Sequence, residues 1–322
     1  MKSSLRLRKT AECRLPLPTD LGAAEQTRAV RIHEILPQRF FENTFLNFAA
    51  DFVDIFLRMN NELNPRKVIA LLTDFGTKDY FVGALKGVIL SINPNANIID
   101  ITHEIAPQNI ASATFTLRVC YKNFPKQTIF VAVVDPGVGS DRKAILVETD
   151  DYFFIAPDNG LLSFVFNNEK NFKVHELTNK KFFAAKVSTT FHGRDVFAPV
   201  AAHLSNGVRP DEFGHWTTDY IRFDKPEPYF EPNGTIIGEI IHVDRFGNLI
   251  TNLTSENLPN EFVVRVNNTK IDKIRKYFAE AEKGELFVIF GSADFLEIVA
   301  FQDSAADLLG ANVGAKISLA NG

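Results

Sequence analysis

Cysteine is nearly absent from this chain: Cys13 and Cys120 are the only two among 322 residues, far apart and without a CxxC partner. That argues against a disulfide framework and a thiolate zinc site, and it fits a reducing cytoplasm. Long apolar runs are missing as well. Val68 to Leu72 and Ile129 to Val134 fall far short of the roughly 20 residues that a spanning helix needs, so no membrane segment is expected. Charge of neither sign dominates; a net charge of −4 sets up no global field for nucleic acid. His103, His192 and His203 show no HxxxH or HExxH spacing, so no catalytic metal is expected. No GxGxxG or Gly-Lys-Ser/Thr loop stands where a phosphate cradle would need it.

What is present is an ordinary globular composition, 45% hydrophobic and 23% charged, in a chain long enough for two domains. Residues 1–66 read as an extension. Lys2 to Arg14 is basic, like a transit peptide, and no apolar h-region follows it. Phe40, Phe41, Phe45, Phe48, Phe52 and Phe56 fall near helical spacing, as in an amphipathic or interface helix. Alternatively the extension is not native and translation starts at Met59.

From Val68 the pattern turns regular. Val68 to Leu72 reads as a strand buried on both faces, and a helix follows with Asp79 as N-cap, stopped by Asn93-Pro94. Asn97 to Ile101 and Thr128 to Val134 read as strands around a helix from Ile110 to Phe124. This β-α-β-α-β order predicts an α/β domain over residues 67–225 with a parallel sheet. Val196 to Leu204 reads as a further helix. A Pro-rich linker at 226–233 then leads to short strands, Ile236 to Val243, Phe262 to Val266, Leu286 to Phe290 and Lys316 to Leu319. They predict a smaller antiparallel β-barrel domain over 234–322.

The chemistry concentrates at strand ends. Asp135-Pro136-Gly137-Val138-Gly139-Ser140-Asp141-Arg142 places a carboxylate and a guanidinium at the carboxyl end of a buried strand, where open α/β sheets carry their sites. The glycines read better as a tight strand exit than as an anion nest. Phe191-His192-Gly193-Arg194-Asp195 adds an imidazole, beside which Arg194 and Asp195 read as a salt bridge. Asp74, one residue past the first strand, is placed either to accept from a vicinal diol or to cap the next helix; taken alone, the cap is favoured. Asp244-Arg245-Phe246-Gly247-Asn248 offers an aromatic face beside an amide suited to a purine edge, and Gly291-Ser292-Ala293-Asp294 a hydroxyl and backbone amides suited to a carboxylate. Each of the last two also reads as a plain β-turn.

Taken in order, Thr73-Asp74-Phe75-Gly76, Asp135-Pro136-Gly137-Val138-Gly139, Pro157-Asp158-Asn159-Gly160, Phe191-His192-Gly193-Arg194-Asp195, Phe246-Gly247-Asn248 and Gly291-Ser292 resemble the S-adenosylmethionine hydrolases, the hydroxide-using relatives of fluorinase and chlorinase. The resemblance covers roughly residues 67 to 320. It implies hydrolysis of S-adenosyl-L-methionine to adenosine and methionine, no cofactor, and a homotrimer with active sites between subunits. By similarity Asp135, Arg142 and His192 would be the water-activating triad. Asp74 would hold the ribose hydroxyls, Asp79 or Asp244 the methionine ammonium, and Ser292 its carboxylate, while Asn248 beside Phe246 would take the adenine. Phe191 belongs to the same substrate-binding set.

The chain departs from fluorinase in having Gln108 where a tryptophan packs on substrate, and Ala293 where an arginine follows the carboxylate-binding serine. Halogenating relatives carry Tyr at the positions matching Asp135 and His192, and Thr at that of Val138, so this chain sides with hydrolysis. The rival readings are a halide-using transferase and a non-catalytic S-adenosylmethionine sensor.

Overall fold

Alternating side chains of one strand explain the first half of the molecule. In β1 (Val68–Thr73), Ile69 and Leu71 enter one apolar core, while Ala70 and Leu72 enter a second on the opposite face. A strand covered on both sides reads as an unbroken apolar run. The computed structural model describes residues 67–259 and 261–321, so the readings of residues 1–66 lie outside the described residues. After β1 come helix α1 (Phe81–Ile92), β2 (Asn97–Thr102), α2 (Ile110–Cys120), β3 (Ile129–Val133), β4 (Ala144–Thr149), β5 (Phe153–Pro157), α3 (Ser163–Asn168), β6 (Phe172–Glu176) and α4 (Ala198–Ser205). The sheet order is β2-β1-β3-β5-β4-β6. Helices α1 and α4 contribute to the core on one face; α2 and α3 contribute to that on the other.

The parallel part is β2-β1-β3-β5. Strand β4 runs antiparallel to both β5 and β6, which makes the sheet mixed. Only a short turn joins β4 to β5, held by Thr149 and Tyr152, and a turn that short can connect only antiparallel strands. Two helix boundaries also differ from expectation. The N-cap of α1 is Tyr80 and not Asp79, and no side chain caps it. The run from Ile110 is α-helical to Cys120, then tightens to a 3₁₀ turn at Tyr121–Asn123.

The second half is an eight-stranded antiparallel sheet. It comprises β7 (Tyr229–Phe230), β8 (Ile236–Val243), β9 (Leu249–Thr254), β10 (Phe262–Val266), β11 (Thr269–Ile271), β12 (Leu286–Phe290), β13 (Phe295–Ala300) and β14 (Lys316–Asn321), with a short helix α5 (Ala305–Leu309). Its path is β11-β10-β14-β8-β9-β13-β12, with β7 added beside β8 from within the Pro-rich stretch. The chain after β11 bonds back to β12, Arg275 N–H to Val288 C=O at 3.0 Å, and this nearly closes the barrel around its own apolar core. Among the described residues no helix is long and apolar enough to cross a membrane.

Candidate active site

Adjacent parallel strands bring two acids to one edge. Thr73 of β1 pairs with Val133 of β3, so Asp74 and Asp135 leave the sheet from neighbouring strands at its carboxyl end. Asp74 does not cap α1. Its Oδ2 accepts the backbone N–H of Gln108 at 2.8 Å, and Gln108 adopts φ 64° to present it. Beneath, the buried Thr73 hydroxyl and His103 Nδ1 lie 2.8 Å apart, and His103 Nε2 is 3.1 Å from Asp100.

Asp135, Arg142 and His192 converge. Arg142 Nε donates to both oxygens of Asp135 at 3.0 Å, and its Nη2 donates to Asp135 as well. Nη2 also lies 2.8 Å from His192 Nδ1. A guanidinium nitrogen only donates, so Nδ1 must accept, which assigns the neutral Nε2–H tautomer. Nη1 donates to the Lys143 carbonyl at 3.3 Å, and the guanidinium carbon lies 5.4 Å from the Phe197 ring centre. With Nε–H, both Nη2 hydrogens and one on Nη1 engaged, one Nη1–H is left over. Burial, then the Arg142 charge, pushes the His192 imidazole below its ordinary 6.5; Asp135, Asp195 and the Ser188 backbone pull the other way.

The loop before His192 is tied down on two sides. Asp195 is 1% exposed, and its Oδ2 accepts the Ser188 N–H at 2.8 Å. Arg194 supplies the expected ion pair to Asp195 at 2.6 Å. From across the site Gly139, at φ +81°, presses on the Thr189 carbonyl; a Cβ there would sit 2.3 Å from that oxygen. The glycine therefore serves a tight strand exit. Asn159, beyond β5, donates through Nδ2 to the carbonyl of Val134, the residue before Asp135, at 2.9 Å. This bracing role was not read from sequence, although the Pro157-Asp158-Asn159-Gly160 motif marked the place.

Other expected residues fall elsewhere. Phe191 is buried, edge-on to Phe75 and Phe81 at 5.7 and 5.2 Å, with the Arg194 guanidinium over its ring. Asp79 is exposed and makes no hydrogen bond or ion pair among the described residues. On the barrel, Asp244 organises its own loop: Oδ1 accepts the N–H groups of Phe246 and Asn248, and Oδ2 the Asn248 amide, at 2.8 to 2.9 Å. Phe246 is 76% exposed and, with Asn248, lines a cavity of 530 Å³ completed by Phe278 and by Ala300 to Asp303. Phe278 and Phe301 had no local signal in sequence. Ser292 is exposed in the β12–β13 turn. Next to it Gly291 packs on the Glu297 carboxylate, another residue sequence reasoning missed; burial, then the charge of Asp244, pushes that carboxyl up. Among the described residues, no hydrogen bond, ion pair or ring contact joins the barrel group, Asp244 to Asn248 with Ser292, to the sheet-edge group around Asp135.

A sheet-edge Asp/Arg/His cluster on an α/β domain followed by a β-barrel defines the class of fold and site. The chain belongs to the SAM hydroxide adenosyltransferase family: residues 69–214 match the family's N-terminal domain and 238–318 its C-terminal domain. The (R)-S-adenosyl-L-methionine hydrolase of Methanocaldococcus jannaschii is 36% identical over 260 residues, covering 75% of this chain and 91% of the relative. That of Salinispora tropica is 33% identical, covering 80% and 99%. A fluorinase from Actinoplanes is 29% identical over 59% of this chain and 72% of its own length. The crystal structure of an uncharacterized conserved protein from Thermotoga maritima superposes with a TM-score of 0.74 at 39% identity, covering 79% of this chain and all of that one.

Proposed function

We propose that this protein is an enzyme that hydrolyses S-adenosyl-L-methionine to adenosine and L-methionine, with water attacking the ribose C5′. The observation that carries the reading is the contact of Asp135 and Arg142, both from the loop between β3 and β4, with His192 from a second loop, in a chain related to several (R)-S-adenosyl-L-methionine hydrolases. An oxygen–C5′ bond forms as the C5′–sulfur bond breaks, the bonding pair leaves with sulfur as a neutral thioether, and the proton of the water passes to the cluster and then to solvent. Arg142 keeps its proton. Its spare Nη1–H and its charge stabilise the developing hydroxide, Asp135 fixes the guanidinium plane, and neutral His192 holds Nη2. Asp74 takes the ribose hydroxyls, Phe191 backs that end of the site, and Gln108 stands where the nucleoside packs.

The barrel residues complete the site from a neighbouring copy in a homotrimer: Asn248 and Phe246 for adenine and Ser292 for the carboxylate; the ammonium goes to Asp244 of the barrel or to Asp79 of the α/β domain. That no hydrogen bond, ion pair or ring contact joins the two residue groups within one chain, among the described residues, supports this arrangement. No metal or other cofactor is required in this reading, and dialysis against EDTA leaves the rate unchanged.

The test is turnover in H₂¹⁸O. Adenosine and methionine form one to one, with the label in the adenosine 5′-hydroxyl. Label in methionine, a 5′-halo product when chloride or fluoride is supplied, or tight binding without turnover would each overturn the reading. Sedimentation equilibrium tests the trimer.

A further inference from the structure

A second cavity, of 470 Å³, opens between α2 and β8; Asn159, the brace on Val134, is in its wall, and the surface it exposes is mostly apolar. Phe115, Phe164 and Ile240 are also in the wall. Into this apolar setting comes the guanidinium of Arg118. It lies 5.1 Å from the Phe295 ring centre, and among the described residues none of its five N–H groups donates to a protein acceptor. Its electrostatic partner is the more distant Glu227, already paired with Lys225 at 3.0 Å. The other acids at the cavity are engaged or outside it: Glu239 is paired with Lys316, and Asp224 is exposed at the rim. A partly buried cation with unused donors costs free energy unless an anion meets it. The volume falls in the range of small-molecule sites, which are mostly apolar with a few placed polar groups.

We propose that this cavity binds a small organic anion with a flat apolar body, its carboxylate or sulfonate paired with Arg118 and its rings against Phe115, Phe164 and Ile240. The ligand is amphipathic by necessity: inorganic anions leave the walls uncovered, and neutral hydrocarbons leave the guanidinium unmet. Nothing in the inference depends on the chemistry at Asp135.

The probes are 8-anilino-1-naphthalenesulfonate and its uncharged counterpart N-phenyl-1-naphthylamine, titrated by fluorescence into the full chain. The sulfonate saturates at one site per chain. Arg118→Met, which keeps the side-chain body and removes the charge, weakens the sulfonate about tenfold or more, the loss expected when one partner of a desolvated charge pair is removed. The neutral probe changes less than about twofold, since its burial is not electrostatic. Val313→Trp, placed at the cavity wall on a half-exposed residue, obstructs both probes. Sulfonate affinity unchanged in Arg118→Met, equal losses for the two probes, no saturable binding, or indifference to Val313→Trp each overturns the inference.

Discussion

Asp195 accepts the backbone N–H of Ser188 at 2.8 Å, and so closes the loop that delivers His192 to Arg142. The acid sits in the π-helical turn Gly193–Phe197, immediately after the histidine it serves, and such turns often mark functional positions. Asp195→Ala strands the Ser188 donor, while the Arg194 guanidinium still reaches water. A loss of about 1–3 kcal/mol is expected, as for a buried donor left without an acceptor, measured by urea unfolding. Asp195→Asn, which keeps an acceptor oxygen, recovers part of it.

Arg142→Lys retains the charge and loses the fork that grips Asp135 and His192 together. A fall in kcat of about 10²–10³ is expected, the effect of removing one preorganised donor at a developing oxyanion, with KM little changed. Steady-state kinetics on S-adenosylmethionine decides it; a rise in KM at constant kcat would assign Arg142 to binding instead.

The lowered His192 pKa carries a sign. At acid pH the imidazole gains a proton, loses its acceptor and turns its charge against Arg142. Turnover therefore falls on the acid side with a midpoint below 6.5, read from a kcat profile across pH 5 to 8. Stability follows the same direction. The unfolded chain takes up this proton first, so the contribution is fully present above 6.5 and is lost as pH falls through the folded value.

Gly139→Ala forces a side chain into φ +81° and against the Thr189 carbonyl. Backbone strain of this kind costs about 1–3 kcal/mol, and the loop bearing His192 has to retreat. Differential scanning calorimetry shows a Tm several degrees lower, with kcat reduced. Gly207→Ala, at φ +92° with open space around it, pays the conformational cost alone and spares kcat.

Asp244→Ala removes the acceptor of three hydrogen bonds within the 244–248 loop. At about 1 kcal/mol for each, enough is lost to loosen Asn248 and Phe246, so KM rises about tenfold or more while kcat changes less. Asp244→Asn separates organiser from ammonium ligand: it keeps an acceptor for the loop and removes the charge.

The sheet-edge cluster was legible because strand ends are written locally: an apolar run, then Asp135, or Asp74, then glycine. The family resemblance, carried by the order of the motifs, set His192 beside them; its Nδ1 lies 2.8 Å from Arg142 Nη2. What local pattern did not carry was pairing at a distance. Strand β4 had no reading of its own, and its direction follows from the short turn to β5. Asp79 has the composition of a helix cap, yet the helix begins after Tyr80 with no side-chain cap at all. Asn159 bracing Val134, and Glu297 beneath Gly291, depend on separately folded loops meeting, and no periodicity records that.

The passage from sheet to barrel is fastened along its length. Lys143, next to Arg142, grips Asp219 at 2.5 Å; Asp158 takes the Ile221 N–H, Ser163 the Phe223 N–H, and Asn252 reaches the Pro226 carbonyl. A foreign barrel grafted at Asp219 would strip those anchors from the residues flanking Arg142 and Asn159. A chimera that respects the native architecture has to be spliced downstream of Pro226, and the two halves are not interchangeable cassettes.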